Sequence, residues 1–394
     1  MWSFTCIPTN VYNALYKCKP LFRCGQARHF GVFCWVLIAL ILDHGKGTLK
    51  DLCQYLPRTL RYWTLMRMVR SGQWDEDAVV ERMAHDVLRW LPPPADGVLH
   101  LSGDKTRKEK RGRKHPLGSI SREHDHAPYT FGFDMVILMA SWDRYRVPVA
   151  IAPIDPTIKG HQNIVFRHML QTFKPPSWGR QVVVSADAGF AANKTLQLID
   201  ERNWAYVFAM PRTRKFTNGK SLRDLVRHLP KSCYHRRASY KPDGRRRDDW
   251  VFVRHATLNH LGDVTIVLSK KRRNDGPKHV KLFVTNLTEA RAGAILSEYA
   301  WRWGVELVIK ELKSGLHLGQ MQVTNDADRV ARSVALPVCA YLLLVRLYGR
   351  DDAATKPWSL FQLKQRFTAD IMHEEVHRTE TKWQRKLREY KQVA

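Results

Sequence analysis

The sequence has few cysteines, and their spacing fits neither a zinc site nor a disulfide framework. Seven cysteines are scattered through 394 residues. The number is odd, and no Cys-x-x-Cys pair occurs. His124 and His126 form a His-x-His pair, but no further ligand stands at a useful spacing, so we interpret it as part of a polar loop. The cysteine pattern predicts a reduced, cytoplasmic compartment.

The sequence also lacks a hydrophobic run long enough to cross a membrane. The longest apolar run, residues 30–42, has 13 residues, whereas a spanning helix needs roughly 20. The run lies too far from the start, with too little of a cleavage site, to be a signal peptide. We therefore predict a buried helix of a small N-terminal domain and no membrane partner.

Acidic residues are scarce relative to basic ones. Lys and Arg number 65 against 37 Asp and Glu, which gives a formal net charge of +28 and a pI near 10.0. Because unpaired charges are rarely buried, this excess lies on the surface and attracts polyanions. DNA, RNA and anionic membranes all qualify, so the charge narrows the class of partner without deciding it.

The first 95 residues have a helical pattern. Residues 28–43 form an apolar helix, and Thr48 is the predicted N-cap of a short helix through Tyr55. A third helix, at 58–71, carries four arginines. This is the outline of a helix-turn-helix DNA-binding domain. Any small helical bundle with a basic face has the same outline, so packing alone remains the alternative.

A proline-rich linker at 91–97 leads into a segment with the period of β-strands. Three strands, a helix, a strand, a helix and a strand follow, which is the order of a ribonuclease H-like core. The predicted strands are 98–102, 129–141, 146–154, 182–185 and 204–210, and the predicted helices are 161–173 and 192–202.

The predicted fold class is therefore α/β, a ribonuclease H-like mixed sheet with helical flanks. The expected domains are a helical N-terminal domain at 1–95, a catalytic domain at 96–320 with a β-rich insertion at about 211–280, and a helical C-terminal region at 321–394.

The predicted insertion is strongly basic. Its stretches at 236–247 and 270–281 are expected to contact DNA, with a free linker as the alternative. After it, a strand at 281–285 leads into one long helix at about 289–314. The insertion therefore adds a second basic region to the catalytic domain.

Two aspartates follow closely on two of the predicted strands. Asp104 comes after the strand at 98–102, and Asp187 comes after the strand at 182–185. In a ribonuclease H-like sheet these strands are neighbours, so the two carboxylates could converge. Phosphodiester cleavage can use two metal ions roughly 4 Å apart, and hard cations prefer oxygen ligands. A single aspartate there is more often a turn former or helix cap, so the pair needs a third group.

The third carboxylate lies in the predicted long helix. At about 100° per residue, four side chains fall within an arc of about 60° on one face: Tyr299, Arg302, Glu306 and Lys313. Glu306 would bind metal, while Arg302 and Lys313 would hold phosphates near the cut. Tyr299 is expected to share this DNA-binding face. The alternative is a solvated face with i,i+4 charge pairs, such as Glu306 with Lys310.

These four residues have the spacing Tyr-x2-Arg-x3-Glu-x6-Lys, which resembles the Tyr-Arg-Glu-Lys signature of DDE transposases of bacterial insertion sequences. Ser-Ala-Asp-Ala-Gly-Phe, around Asp187, looks like the second-aspartate motif of that family. Gly-Asp-Lys-Thr, around Asp104, is similar to its first motif. Some members have two adjacent aspartates in the first motif, whereas this chain has one. The resemblance covers roughly residues 98–320.

The resemblance implies a mechanism. Asp104, Asp187 and Glu306 would bind metal, namely two Mg²⁺ ions with Mn²⁺ as a substitute, and water would nick the end of a mobile element. The freed 3′-hydroxyl would then attack a second phosphodiester, on the opposite strand or in a target. The implied partners are double-stranded DNA, as terminal inverted repeats and target, and a second subunit in a homodimeric synaptic complex. The implied location is the nucleoid.

Further DNA contacts are expected close to the first aspartate. Residues 105–115 hold seven Lys or Arg in eleven positions. We interpret them as a loop beside the metals in which Lys105, Arg107 and Arg111 contact DNA; a solvated loop is the alternative. Four tryptophans are candidates for stacking on an extruded base: Trp204, Trp250, Trp301 and Trp303. Trp301 and Trp303 flank Arg302, so they are expected to point into the core.

Two rival interpretations share this pattern. A ribonuclease H-like nuclease would have the same metal site without strand transfer, and only a joining assay separates the two. An inactive or repurposed transposase would act as a sequence-specific DNA-binding protein. The intact carboxylates argue against the second rival.

Overall fold

The structure, a computed structural model, describes residues 6–22, 27–112, 114–122, 128–321, 326–350 and 358–393. His124 and His126 lie outside the described residues. The chain divides into two compact units, one of residues 92–309 and one that combines 1–91 with 310–394. The N-terminal and C-terminal helical segments therefore fold together as one unit.

Helices and strands alternate in the middle of the chain, whereas the described parts of both ends consist of helices. In chain order, the helices are α1 (Thr9–Leu15), α2 (Ala27–Leu42), α3 (Leu49–Leu52), α4 (Tyr62–Ser71), α5 (Glu76–Trp90), α6 (His161–Thr172), α7 (Asn193–Glu201), α8 (Leu222–His228), α9 (Ala292–Ala300), α10 (Trp303–Gly315), α11 (Ala327–Tyr348) and α12 (Leu360–Val393). The strands are β1 (Val98–Glu109), β2 (Ser119–Ser121), β3 (Thr130–Trp142), β4 (Tyr145–Pro153), β5 (Gln181–Ala186), β6 (Ala205–Ala209), β7 (His235–Tyr240), β8 (Arg246–Leu258), β9 (Gly262–Lys270) and β10 (Lys281–Thr285).

The helical unit has α11 at its centre. Every side chain of α11 from Val334 to Val345 is buried, and α2 and α5 pack against it. The length and composition of α11 would allow it to cross a membrane. Most of the helix is buried, however, and a buried core helix passes the same test of length and composition. The predicted apolar helix at the N-terminus is confirmed as the buried helix α2.

The N-terminal helices follow the predicted order with one shift. Thr48 caps α3 as predicted, because its hydroxyl accepts the N–H of Asp51 at 3.2 Å while the Asp51 carboxylate accepts the N–H of Thr48. The predicted helix at 58–71 begins only at Tyr62. The preceding residues form a turn in which the N–H of Leu60 donates to the carbonyl of Pro57.

A buried polar cluster joins the end of α2 to the C-terminal part of this unit. Asp43 is fully buried, accepts the N–H of Gly47 at 2.9 Å and lies 3.1 Å from Nε2 of His317. Lys364 on α12 donates to the carbonyls of Asp43 and Gly315 at 3.0 and 2.7 Å. Only glycine fits at position 47, since φ is 66° and a Cβ would lie 2.1 Å from His317. The cluster explains how segments distant in sequence form one unit.

The second unit is built on a single mixed sheet. Its first five long strands lie in the order β4–β3–β1–β5–β6, with β3 antiparallel to β1, and with β1, β5 and β6 mutually parallel. This is the ribonuclease H-like order, so the predicted fold class is confirmed. The predicted hairpin is also confirmed, because β3 and β4 are joined by a tight turn at Asp143 and Arg144.

The insertion extends the same sheet. β10 pairs with β6, and β9, β8 and β7 follow in that order to the edge. Neither α8 nor β7 was predicted. The sequence of β7, His-Arg-Arg-Ala-Ser-Tyr, is mostly polar and largely exposed, so it lacks the apolar alternation by which a strand is recognised.

Strand β1 is longer than the sequence indicated. It continues past Asp104 to Glu109, because β3 pairs with it as far as Gly132 opposite Glu109. The expectation of a loop starting at Lys105 is therefore wrong for residues 105–109. Pairing with a distant strand, which local sequence does not reveal, keeps this basic segment extended.

Candidate active site

Asp104 and Asp187 lie directly after the last residues that pair β1 with β5. Parallel pairing of β1 with β5 ends with Gly103 opposite Ala186, so the next residue on each strand is an aspartate. At Gly103 a Cβ would lie 2.2 Å from the buried ring of Phe166. Glycine therefore allows α6 to pack closely against β1 directly before Asp104. The predicted convergence of the two strands is present in the structure.

The backbone around Asp187 fixes the direction of its carboxylate. Asp187 caps a short 3-10 helix, Ala188–Phe190, and its Oδ1 accepts the N–H of Gly189 at 2.8 Å. The ring of Phe190 is fully buried and packs on Phe166, with ring centroids 4.7 Å apart. The Gly-aromatic pair after this aspartate thus turns the chain and anchors the turn in the core.

The segment with the third carboxylate is two helices. The predicted single helix breaks at Trp301 and Arg302, between α9 and α10. The helical-wheel argument from Tyr299 therefore does not hold across the break, yet the side chains still meet. The Arg302 guanidinium lies 5.6 Å from the Tyr299 ring centroid and forms an i,i+4 ion pair with Glu306.

Arg302 also connects this segment to β1. Its Nη1 lies 3.5 Å from Oδ2 of Asp104, and both side chains are largely buried. The ring of Trp301 stacks on His100 of β1 with centroids 4.4 Å apart, and Nδ1 of His100 lies 3.2 Å from a carboxylate oxygen of Glu298. These contacts hold the helix break against the strand that carries Asp104. The role of His100 was not predicted, because a lone histidine in a strand carries no distinguishing pattern.

The charges of the other two carboxylates both act on Asp104. The pKa of Asp104 is raised to about 6, mainly by burial, and the charges of Asp187 and Glu306 contribute to the increase. The charge of Arg302 and the N–H of Lys105 oppose this shift. A buried cluster of like charges is unfavourable unless cations neutralise it. Arg302 provides one positive charge beside Asp104 and Glu306, and the site favours more.

The donor chemistry fits a divalent metal. Carboxylate oxygens are the ligands that hard cations prefer, and a cation would relieve the repulsion that raises the pKa of Asp104. Among the described residues, no three His, Cys, Asp or Glu side chains are close enough together to hold a metal ion. Arg302 contacts both Asp104 and Glu306.

Arg107 has a structural position, which corrects its prediction as a DNA contact. Its side chain is 4% exposed. The guanidinium donates to Oδ1 of Asp134 at 3.1 Å and to the carbonyl of Thr130 at 2.8 Å, and it also contacts the carbonyl of Ser119. Arg107 therefore ties β1 to β2 and β3, and no face of it is open to DNA.

The other predicted DNA contacts differ from Arg107 in their exposure and their neighbours. Lys105 is 41% exposed and lies 3.8 Å from Asp134, and Arg111 is exposed. Lys313 lies on α10 seven residues after Glu306 and belongs to the helical unit. Many arginines of the 236–247 stretch pair with acidic neighbours on the same hairpin, such as Arg236 with Asp248 at 2.9 Å.

The four tryptophans that are candidates for base stacking differ in solvent exposure. Trp303 is 60% exposed, so the expectation that it points into the core is wrong. Trp301 is stacked on His100 as described above. Trp204 is 8% exposed beneath the guanidinium of Arg202, and Trp250 is partly covered by Arg273. Trp303 is thus the most accessible of the four.

A family model described as "Transposase DDE domain" matches residues 106–343. Among solved structures, a piggyBac transposase synaptic complex with hairpin DNA is similar at 10% sequence identity and a TM-score of 0.47, over 94% of this chain and 80% of that one. No curated protein matches.

Proposed function

Because the chain belongs to the transposase DDE domain family, we propose that it cuts DNA at the ends of a mobile element and joins the freed ends to target DNA. The observation that carries the proposal is the placement of the acidic residues. Asp104 and Asp187 directly follow the last residues that pair the adjacent parallel strands β1 and β5, and Arg302 links Asp104 to Glu306. The Tyr-Arg-Glu-Lys spacing supports an origin in a bacterial insertion sequence.

Metal would be held by Asp104, Asp187 and Glu306, where two Mg²⁺ or Mn²⁺ ions would activate water and stabilise the leaving oxygen. Arg302 compensates charge beside Asp104 and Glu306. Tyr299 packs on Phe283 of β10, with ring centroids 4.5 Å apart, and its ring faces the guanidinium of Arg302. Tyr299 therefore holds Arg302 in position, and burial raises its own pKa, which keeps the hydroxyl protonated.

Basic residues outside the acidic cluster would bind the DNA backbone. Lys105, Arg111 and Lys313 are proposed phosphate contacts, and double-stranded terminal repeats and target DNA are the proposed ligands. In the helical unit, α4 carries Trp63, which is 65% exposed, followed by exposed Arg67 and Arg70 at helical spacing. We propose this face as a second DNA contact. The active form would be a homodimer that acts at the nucleoid.

An assay on the DNA that flanks the gene tests the proposal. We expect Mg²⁺-dependent nicking at the element ends, loss of nicking in EDTA and recovery in Mn²⁺. Joining of the cut 3′ end to a plasmid would establish strand transfer. Nicking without joining would instead indicate a nuclease, and binding without nicking would indicate a repurposed DNA-binding protein.

A further inference from the structure

Helix α12 has two parts that differ in burial. Leu360, Leu363, Phe367 and Ile371 are buried in the helical unit. From Met372 to Arg385, the last described side chain, no residue is buried. The second half of the helix thus lies at the surface of its unit, where the side chains of Glu375 and Arg378 are partly covered and the rest is mostly exposed.

The exposed surface of α12 carries an apolar stripe. Its members are Phe361, Met372, Val376 and Trp383, which are 52, 43, 44 and 65% exposed. At about 100° per residue, all four lie within an arc of about 60°. That arc is well separated from the buried face of the same helix. Isolated exposed apolar side chains are common, but their alignment along one helix face is the mark of an interaction surface.

We propose that this stripe, from Met372 to Trp383, is the seam of an antiparallel dimer with a second copy of this chain. Met372, Val376, Thr379 and Trp383 are spaced by four, three and four residues, which is the a/d repeat of a coiled coil. In an antiparallel pair, Met372 lies opposite the partner's Trp383, and Val376 lies opposite the partner's Thr379. Each large ring then meets a flexible methionine, a favourable sulfur–aromatic contact.

The flanking charges select the antiparallel orientation. Beside the seam lie Glu375 and Lys382 on one side and His373 and Glu380 on the other. Antiparallel packing brings Glu375 near the partner's Lys382, and His373 near the partner's Glu380. Parallel packing instead brings Glu375 near the partner's Glu380, which is repulsive. Within its own chain Glu375 lies 3.8 Å from Arg378 and its side chain is 13% exposed, so pairing with the partner's Lys382 requires the Glu375 side chain to turn outward.

The role of this dimer rests on the proposed function, because two subunits would supply one catalytic unit for each of two element ends. DNA is the other occupant that the basic residues Lys382 and Arg385 would suit. The aligned apolar side chains, however, can pack against another protein helix, whereas they cannot bind the charged phosphates of DNA.

The test is the mass of the full-length protein in solution, measured by sedimentation equilibrium after nuclease treatment and at high salt. We expect a dimer whose dissociation constant rises at least roughly tenfold in Val376→Glu, which corresponds to about 1.4 kcal/mol. Glutamate is a good helix former, and circular dichroism checks that the helix persists. Gln384→Glu adds the same charge on an exposed site off the stripe and is expected to dimerise like wild type. A monomeric wild type, or equal dimerisation of both variants, would overturn the proposal.

A charge exchange tests the orientation. Lys382→Glu is expected to weaken the dimer severalfold, and adding Glu375→Lys is expected to restore it. Weakening without restoration would contradict the antiparallel arrangement. Dimer formation by a Glu306→Ala variant that does not nick DNA would show that the seam and the cleavage site are independent, so failure of one proposal is distinguishable from failure of the other.

Discussion

Replacing Asp104 or Asp187 by asparagine is expected to lower DNA nicking by roughly 10³-fold or more, while DNA binding changes by less than about threefold. The two carboxylates occupy equivalent positions, each directly after the last residue that pairs β1 with β5, so each amide keeps the shape of the site and removes one anionic oxygen ligand. Binding should persist because it depends on the basic surface. The measurement is nicking of end-containing DNA in Mg²⁺ alongside a gel-shift titration.

A double variant tests whether Asp104 and Asp187 act together in one step. Groups that act as one unit show non-additive losses, so the Asp104→Asn, Asp187→Asn double variant should be no less active than either single variant. Glu109→Gln is the matched control, because Glu109 is exposed on the same strand, β1. Multiplied losses in the double variant would mean that the two aspartates act in separate steps.

Arg107→Ala is expected to destabilise the protein by about 3–5 kcal/mol, because it leaves a partly buried carboxylate and two carbonyl groups without their donor. Asp134, which is 17% exposed, would keep its 3.8 Å contact with Lys105 but lose its ion pair with Arg107. Urea unfolding followed by fluorescence measures the change in the free energy of unfolding.

Arg111 separates this structural role from DNA binding. Arg111 is exposed on the same basic segment, so Arg111→Ala should change stability by less than about 0.5 kcal/mol. It should instead weaken DNA binding and lower the salt slope by about one phosphate contact. Full stability of Arg107→Ala together with weakened DNA binding would mean that the sequence-based prediction for Arg107 was right.

The order of strands and helices was the most predictable part of this molecule. Val182 to Ser185 is a short apolar run that ends at an aspartate, and such a run in a ribonuclease H-like order implies a strand beside β1. The adjacency of Asp104 and Asp187 follows from that order alone. Glu306 could be placed because the spacing of its neighbours is distinctive, although the helix geometry behind that argument was wrong.

What the sequence did not reveal depends on contacts between distant segments. The helix break at Trp301 and Arg302 lies just before Gly304, and it is accompanied by the stack of Trp301 on His100. Arg107 resembled its basic neighbours in sequence, and only the approach of β2 and β3 buries it. The union of the two helical ends likewise depends on contacts such as that of Lys364 with Asp43.

The most direct test of the cleavage site compares wild type with Glu306→Ala in Mg²⁺-dependent nicking of DNA that carries the gene's flanking ends. Glu201→Ala, at an exposed helix end, is the control for loss of a carboxylate. We predict that Glu306→Ala binds the DNA but does not nick it, while Glu201→Ala nicks like wild type. Equal nicking by Glu306→Ala and wild type would contradict the account and place the cleavage site elsewhere.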